Sequence, residues 1–219
     1  MSDRIAHNLE IIRDRIAAAA VRAGRAPDAV RLVAVTKTVG LAEIQALHDL
    51  GVCDIGENRL EAAQPKIAAA PADIRWHFIA PIQSRKAKDI VALFSVAEAL
   101  DRVKVAEALQ RRCEEQDRTI EVMIEVNVTG EASKHGFRPS EMPTAVAAIR
   151  KMDRLNLTGL MTMAPFGAPE SVLRDCFRGL KALADDAGLP ERSMGMSDDF
   201  EIAIEEGATQ VRIGSALFQ

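Results

Sequence analysis

Lys37 closes the run Arg31-Leu-Val-Ala-Val-Thr36, and a lysine at the end of a short, β-branched apolar segment has two readings. A strand's period of two turns it to the face of Val33 and Val35, where partial desolvation would favour the neutral amine and suit it to condensation with a carbonyl. The other reading is a solvated lysine at a strand end. Further along, Ser193-Met-Gly-Met-Ser-Asp-Asp199 reads as a strand-to-loop-to-helix passage. There Gly195 would let backbone approach a ligand and Ser197 would open a helix with free N–H groups, a seat for a phosphate. Plain N-capping by Ser197 or Asp198, with Glu201 completing an Asp-x-x-Glu box, explains the same residues. The run Gln210-Val-Arg-Ile-Gly-Ser215 adds a second small-residue turn, Gly214-Ser215. Arg212 shares parity with Gly214 and opposes Val211 and Ile213, so it is predicted to point inward, either toward a bound ring or into an ion pair with an acid such as Glu125.

Three further positions carry two readings each. Asn58, after Asp54-Ile-Gly-Glu57, is either an N-cap or a polar contact to a ring. His77 in Trp76-His-Phe-Ile79 is either a base or a hydrogen-bonded core histidine. The polar 127–139 segment, hinged by Gly130 and Gly136, is either a ligand-covering loop or an exposed connection.

These groups need elements to position them. Ile5, Leu9, Ile12, Ile16, Ala19 and Ala20 recur at helical spacing and stop at Gly24, which predicts an opening amphipathic helix. After it, strand signals near 31–36, 52–55, 75–79, 93–96, 120–127, 156–162, 192–195 and 210–213 alternate with helical stretches near 41–50, 59–69, 84–91, 102–116, 140–152, 170–187 and 199–206. Alternation of this kind implies parallel pairing, and eight units in 219 residues predict an α/β fold closed as a (β/α)8 barrel with an extra N-terminal helix; an open doubly wound sheet is the alternative. No linker or composition break divides residues 1–219, so one domain is expected. In such a barrel the loops after strands seven and eight frequently form a phosphate site, which is where the Gly195 and Gly214 turns fall.

Composition narrows the partners. Hydrophobic residues at 48% and charged residues at 27% suit a soluble globular chain. A net charge of −4 without a long basic run supplies no counterion-release surface for nucleic acid. No apolar run is long enough for a bilayer and the N-terminus is not a leader, so a cytoplasmic protein is expected. Cys53, Cys113 and Cys176 lie far apart with no CxxC pair, which argues against a disulfide framework and against a zinc site.

Several of these segments occur together in one family: Val-Ala-Val-Thr-Lys37, Ile55-Gly-Glu-Asn-Arg59, Trp76-His-Phe-Ile79, Asn127-Val-Thr-Gly-Glu131 with Ser133-Lys134, Gly159-Leu-Met-Thr162, Ser193-Met-Gly-Met-Ser-Asp198 and Val211-Arg-Ile-Gly-Ser215. In order and spacing the chain resembles the pyridoxal-phosphate homeostasis proteins, single-barrel relatives of the alanine racemase N-terminal domain with the fold-type III cofactor barrel. The resemblance implies pyridoxal 5'-phosphate as an internal aldimine on Lys37, Asn58 near its ring and Arg212 at the pyridine nitrogen. It further implies Ser197, Gly214 and Ser215 around the phosphate, with Met194 and Gly195 lining that loop. An arginine at the ring nitrogen keeps it unprotonated and weakens the electron sink. Two departures stand out: Ala80-Pro81 after the third strand and Gln219 after Phe218.

The function implied is a non-catalytic carrier and regulator in vitamin B6 and amino-acid homeostasis. It would bind the cofactor and related B6 phosphates, serve apo-enzymes that use the cofactor, and exist as a monomer or weak dimer. A racemase is the first alternative. It needs acid and base groups on both faces of the substrate carbon, commonly the lysine and a tyrosine from a second domain, yet the sequence has no tyrosine and its end at residue 219 leaves no room for that domain. His77 would have to substitute. A Schiff-base aldolase acting on sugar phosphates is the second alternative.

Overall fold

Eight parallel strands close into one barrel in chain order, β8 returning to pair with β1. The computed structural model describes residues 2–131 and 134–219. Helix α1 (Ser2–Arg22) leads, followed by β1 (Arg31–Val35), α2 (Leu41–Asp49), β2 (Asp54–Glu57), α3 (Leu60–Ala69), β3 (Arg75–Phe78), α4 (Ala87–Leu93) and β4 (Val96–Leu100). Then come α5 (Val103–Glu115), β5 (Ile120–Glu125), α6 (Met142–Ile149), β6 (Leu155–Met161), α7 (Glu170–Asp186), β7 (Glu191–Ser193), α8 (Phe200–Glu205), β8 (Gln210–Ile213) and α9 (Ser215–Phe218). The (β/α)8 barrel with an extra N-terminal helix is therefore the observed fold, and an open sheet is excluded by the β1–β8 pairing.

Helical periodicity decides which faces meet the barrel. In α7, Leu173, Cys176, Phe177, Leu180 and Ala184 are buried, one stripe at three- and four-residue spacing. α1 buries Ile5, Leu9, Ile12 and Ile16 and packs against α2, α8 and α9. It also clasps the chain's other end, since Asn8 Nδ2 donates to Leu217 O at 3.1 Å and Gln219 O at 2.9 Å. The main apolar core fills the layer between strands and helices, where the outward residues Ala34, Ile55, Val211 and Ile213 lie. Inside the barrel only Ala99, Met123 and Met161 form a separate small apolar cluster among the described residues. The rest of the interior mixes the buried valines Val33, Val35 and Val96 with polar groups, His77, Glu98, Ser193, Gln210 and Arg212 all being buried.

Two strands lie further along than periodicity predicts. β2 spans 54–57 rather than 52–55, and β4 spans 96–100 rather than 93–96. Both include acids that interrupt an apolar signal, Asp54 and Glu57 in one and Glu98 in the other. Phe94, which marked the expected strand, instead caps α4 and packs edge-on to Phe78 with ring centroids 5.2 Å apart.

Candidate functional site

The C-terminal mouth of the barrel holds a cavity of about 720 Å³ whose wall includes Lys37, Asn58, Ser197, Arg212, Gly214 and Ser215. Lys37 stands two residues beyond the end of β1, in a turn, and is exposed. The partial desolvation expected for it is therefore absent, because the strand stops before its side chain reaches the packed interior. What the fold fixes is its backbone. Thr36, fully buried, donates its hydroxyl to Glu57 Oε1 at 2.6 Å. Lys66 Nζ, from α3, donates to Thr36 O at 2.8 Å and to Glu57 Oε1 at 2.7 Å. This anchor at the root of the turn joins β1, β2 and α3, and of its members Lys66 carries no motif signal.

Across the cavity, the turns after β7 and β8 meet. Ser215 Oγ donates to Ser197 Oγ at 3.1 Å. Gly214 is where β8 crowds β1, since a Cβ there would lie 3.3 Å from both Val35 Cβ and Val35 O. Gly195 also has a packing role. Its φ is +95°, and an added Cβ would fall 2.7 Å from Ala203 Cβ and 2.9 Å from Phe200 Cα. The glycine thus lets the loop press onto α8. Met194 is fully buried within the outer core and takes no part in the cavity wall, which Met196 lines instead. Helix α8 starts at Phe200, so neither Ser197 nor Asp198 opens or caps it. Asp199 occupies the N-cap and accepts from Met196 N at 2.6 Å, which tightens the turn that presents Ser197.

Arg212 points inward as its parity predicts, but its partner is not Glu125. Nη1 donates to Ser193 Oγ at 2.5 Å, Nη2 donates to Thr162 O at 3.0 Å, and Glu98 Oε2 lies 3.9 Å away. Burial lowers the pKa of this guanidinium, and the charge of Glu98 is the largest opposing influence. Glu98 is itself fully buried and accepts from Ser193 Oγ at 2.6 Å, from Gln210 Nε2 at 2.7 Å and from His77 Nδ1 at 2.6 Å. Burial pushes its pKa up, but hydrogen bonding to His77 and the charges of His77 and Arg212 hold it below the ordinary value.

His77 closes the column beneath. Its Nε2 lies 2.9 Å from Asp54 Oδ1, so both ring nitrogens face carboxylates. Burial works to lower its pKa, yet Asp54 and Glu98 together raise it. The ring is sealed from the mouth, which sets aside a base at that position. Its sequence gave the core reading, but the partners Asp54 and Glu98 became visible only once β2 and β4 were in register with β3.

Asn58 is half-buried in the cavity wall, and the N-cap of α3 is Arg59, so capping is not its role. Ala80 and Pro81 also line the cavity. Ser133 lies outside the described residues. Within the described part of the 127–139 segment, Asn127 N donates to Phe137 O at 2.9 Å and Phe137 N donates to Glu125 O at 2.8 Å. Lys134 Nζ reaches Met163 O at 3.2 Å. The segment is thus tied back onto the end of β5 and the loop after β6.

A primary amine, a paired-hydroxyl turn closed by glycine, and a guanidinium held from behind share one cavity. That donor set fits a phosphorylated aromatic aldehyde: the amine for the carbonyl, the turns for the phosphate, the guanidinium for a ring nitrogen.

The comparisons point the same way. The family model for the alanine racemase N-terminal domain matches residues 2–219. A protein from Pseudomonas aeruginosa named pyridoxal phosphate homeostasis protein is 42% identical over 217 residues, covering 98% of this chain and 94% of that protein. The Escherichia coli K12 protein of the same name is 37% identical over 226 residues, covering 98% and 95%. The structure of PipY from Synechococcus elongatus PCC7942 with PLP bound superposes with a TM-score of 0.84 at 29% identity, over 98% of this chain and all of that one. No helix among the described residues is long and apolar enough to cross a membrane. With its motifs, its barrel and the composition of its mouth in agreement, the chain belongs to the pyridoxal phosphate homeostasis protein family, the single-barrel relatives of the alanine racemase N-terminal domain.

Proposed function

We propose that this chain holds pyridoxal 5'-phosphate at the barrel mouth through Lys37 and acts as a carrier and regulator of the cofactor rather than as an enzyme. The observation that carries the reading is the Ser197–Ser215 hydrogen bond, which brings the two small-residue turns into the cavity that Lys37 also lines. Bound there, pyridoxal 5'-phosphate supplies an aldehyde that condenses reversibly with a primary amine. Lys37 Nζ is the amine. Its exposure lets incoming and outgoing cofactor reach it without opening the core.

Ser197, Ser215 and the backbone at Gly214 would hold the phosphate, with Asn58 beside the ring. Arg212 would meet the ring nitrogen and, as a cation, would keep it from taking a proton. Ser193 and Thr162 O hold its fork in place. A carrier needs this kind of grip and no general acid. The racemase reading would require a second acid–base group, and His77 is enclosed between Asp54 and Glu98. Apo-enzymes that use the cofactor are the proposed recipients, in the cytoplasm, with the chain a monomer or weak dimer.

The test is the absorbance of purified protein before and after borohydride, with peptide mapping of the reduced adduct. Yellow protein with the adduct on Lys37, and loss of the visible band in Lys37→Ala, is the expected result. An undiminished band in the variant overturns the covalent assignment. Colourless protein trapped only when a sugar phosphate is added would support the aldolase reading instead.

A further inference from the structure

The opposite, N-terminal face of the barrel brings together three residues that sequence spacing keeps apart. His48 lies in the last turn of α2, Cys53 precedes β2 and Asp73 precedes β3. One ligand atom from each lies within 4.8 Å of the others. His48 Nε2 is 2.9 Å from Asp73 Oδ1 and 3.0 Å from Asp73 Oδ2. On the far side of the same ring, Nδ1 lies 4.0 Å from Asp49 Oδ1, and that carboxylate accepts from Gln45 Nε2 at 2.9 Å. The imidazole thus stands between two carboxylates, Asp73 at Nε2 and the hydrogen-bonded Asp49 on the Nδ1 side, with the Cys53 thiol in the same cluster. In metal sites the second ring nitrogen of a ligating histidine donates to such an outer carboxylate, a bond that Asp49 would make by closing in from 4.0 Å.

We propose that His48 Nε2, Cys53 Sγ and an Asp73 carboxylate oxygen bind a zinc ion, with a fourth position left to water. Nitrogen, sulfur and oxygen donors at about 2.0–2.3 Å in a tetrahedron stand about 3.3–3.8 Å apart, so the His48–Asp73 pair, at 2.9 Å, must open slightly to admit the ion, and the three ligand atoms, all within 4.8 Å of one another, must adjust by no more than about an ångström. Asp73, with 67% of its side chain exposed, is free to make that movement. The frame around it is fixed: Cys53 O accepts from Arg75 N at 2.8 Å, and Gly51, at φ +78°, donates its N–H to His48 O at 2.8 Å. On binding, Cys53 gives up its thiol proton to solvent, and thiolate plus carboxylate balance the two charges of the ion. Cys53 is half-buried, whereas Cys113 and Cys176 are buried, so it is the cysteine an ion can reach. Cys53 also lines a cleft of about 490 Å³ on this face. The mouth cavity has no part in the site, so its outcome is independent of the cofactor assignment.

The test uses the full chain without an affinity tag, titrated first with Co²⁺ as a spectroscopic probe and then with Zn²⁺. The expected result is a thiolate-to-cobalt charge-transfer band saturating at one ion per chain and abolished by added Zn²⁺. Cys53→Ser should remove the band and weaken binding more than about 100-fold, beyond the 10–100-fold typical of losing an outer partner. Zn²⁺ should raise the thermal midpoint of the wild type and leave that of Cys53→Ser unchanged. Asp73→Asn, at an exposed position, provides a second variant whose fold is secure and should weaken binding at least tenfold. Absence of the thiolate band, or Co²⁺ affinity equal in wild type and either variant, overturns the site.

Discussion

Ser215 Oγ donates a 3.1 Å hydrogen bond to Ser197 Oγ, tying the turn that leaves β8 to the turn that leaves β7. Neither serine is deeply buried, so losing the bond should cost the fold no more than about 1 kcal/mol. Binding of the cofactor should suffer more. Ser197→Ala and Ser215→Ala are each expected to weaken retention of pyridoxal 5'-phosphate about tenfold, or about 1.4 kcal/mol, with the double variant losing less than the sum because the two hydroxyls act as a unit. Titration followed by visible absorbance decides it; unchanged affinity in both single variants would remove the phosphate seat from these turns.

Gly195 is the position where loop and helix come closest. Alanine there meets both a left-handed backbone, at φ +95°, and a Cβ contact of 2.7 Å with Ala203. Strain of about 1–3 kcal/mol and overpacking of about 1–3 kcal/mol are the relevant magnitudes. Gly195→Ala should therefore lower unfolding stability by about 2–6 kcal/mol in urea and displace Ser197 enough to weaken cofactor retention. A denaturation midpoint within error of wild type would show that α8 yields freely.

His77, Asp54 and Glu98 make stability depend on pH in both directions. The histidine's folded pKa is raised, so its contribution is complete below about pH 6.5, the unfolded value, and is lost as pH rises through the folded one. The two carboxylates have lowered folded values; theirs is complete above about pH 4 and is lost as pH falls through those values. His77→Gln should flatten the alkaline limb of a plot of urea midpoint against pH and cost about 3–5 kcal/mol near pH 6, the range for breaking a buried ion pair. An alkaline limb of wild-type slope in the variant would rule out an imidazolium in the column.

Arg212 supports the same column from above. Arg212→Leu strips Ser193 and Glu98 of their cation and should destabilise by about 3–5 kcal/mol. Arg212→Lys restores charge without the fork that spans Ser193 Oγ and Thr162 O and should fall between the two in both urea midpoint and cofactor retention. Lysine equal to arginine on both measures would show that charge alone matters there.

The succession of strands and helices was largely legible along the chain, because each α/β unit announces itself by a change of hydrophobic period. The misplaced pair, β2 and β4, are short strands whose apolar signal is interrupted by acids (Asp54 and Glu57, Glu98), and a buried carboxylate looks like a loop until its partner is known. The mouth was legible in part. Small-residue turns and a lysine at a strand end are local signals, so Lys37, Ser197, Gly214 and Ser215 could be named. Glu98 and Ser193 could not be assigned their work, because their meaning lies in Arg212, 114 and 19 residues away in the chain.

Local chemistry along the chain determined which residues could act: the amine, the hydroxyls, the glycines and the inward parity of Arg212. Closure of the barrel decided who meets whom. It set Ser197 against Ser215, gave Arg212 to Ser193 instead of Glu125, turned Met194 outward, left Lys37 exposed, and collected His48, Cys53 and Asp73 on the far face. The physical reason is that propensity and periodicity act over a few residues, whereas side-chain partnership inside a closed barrel follows from strand register, which depends on all eight strands together.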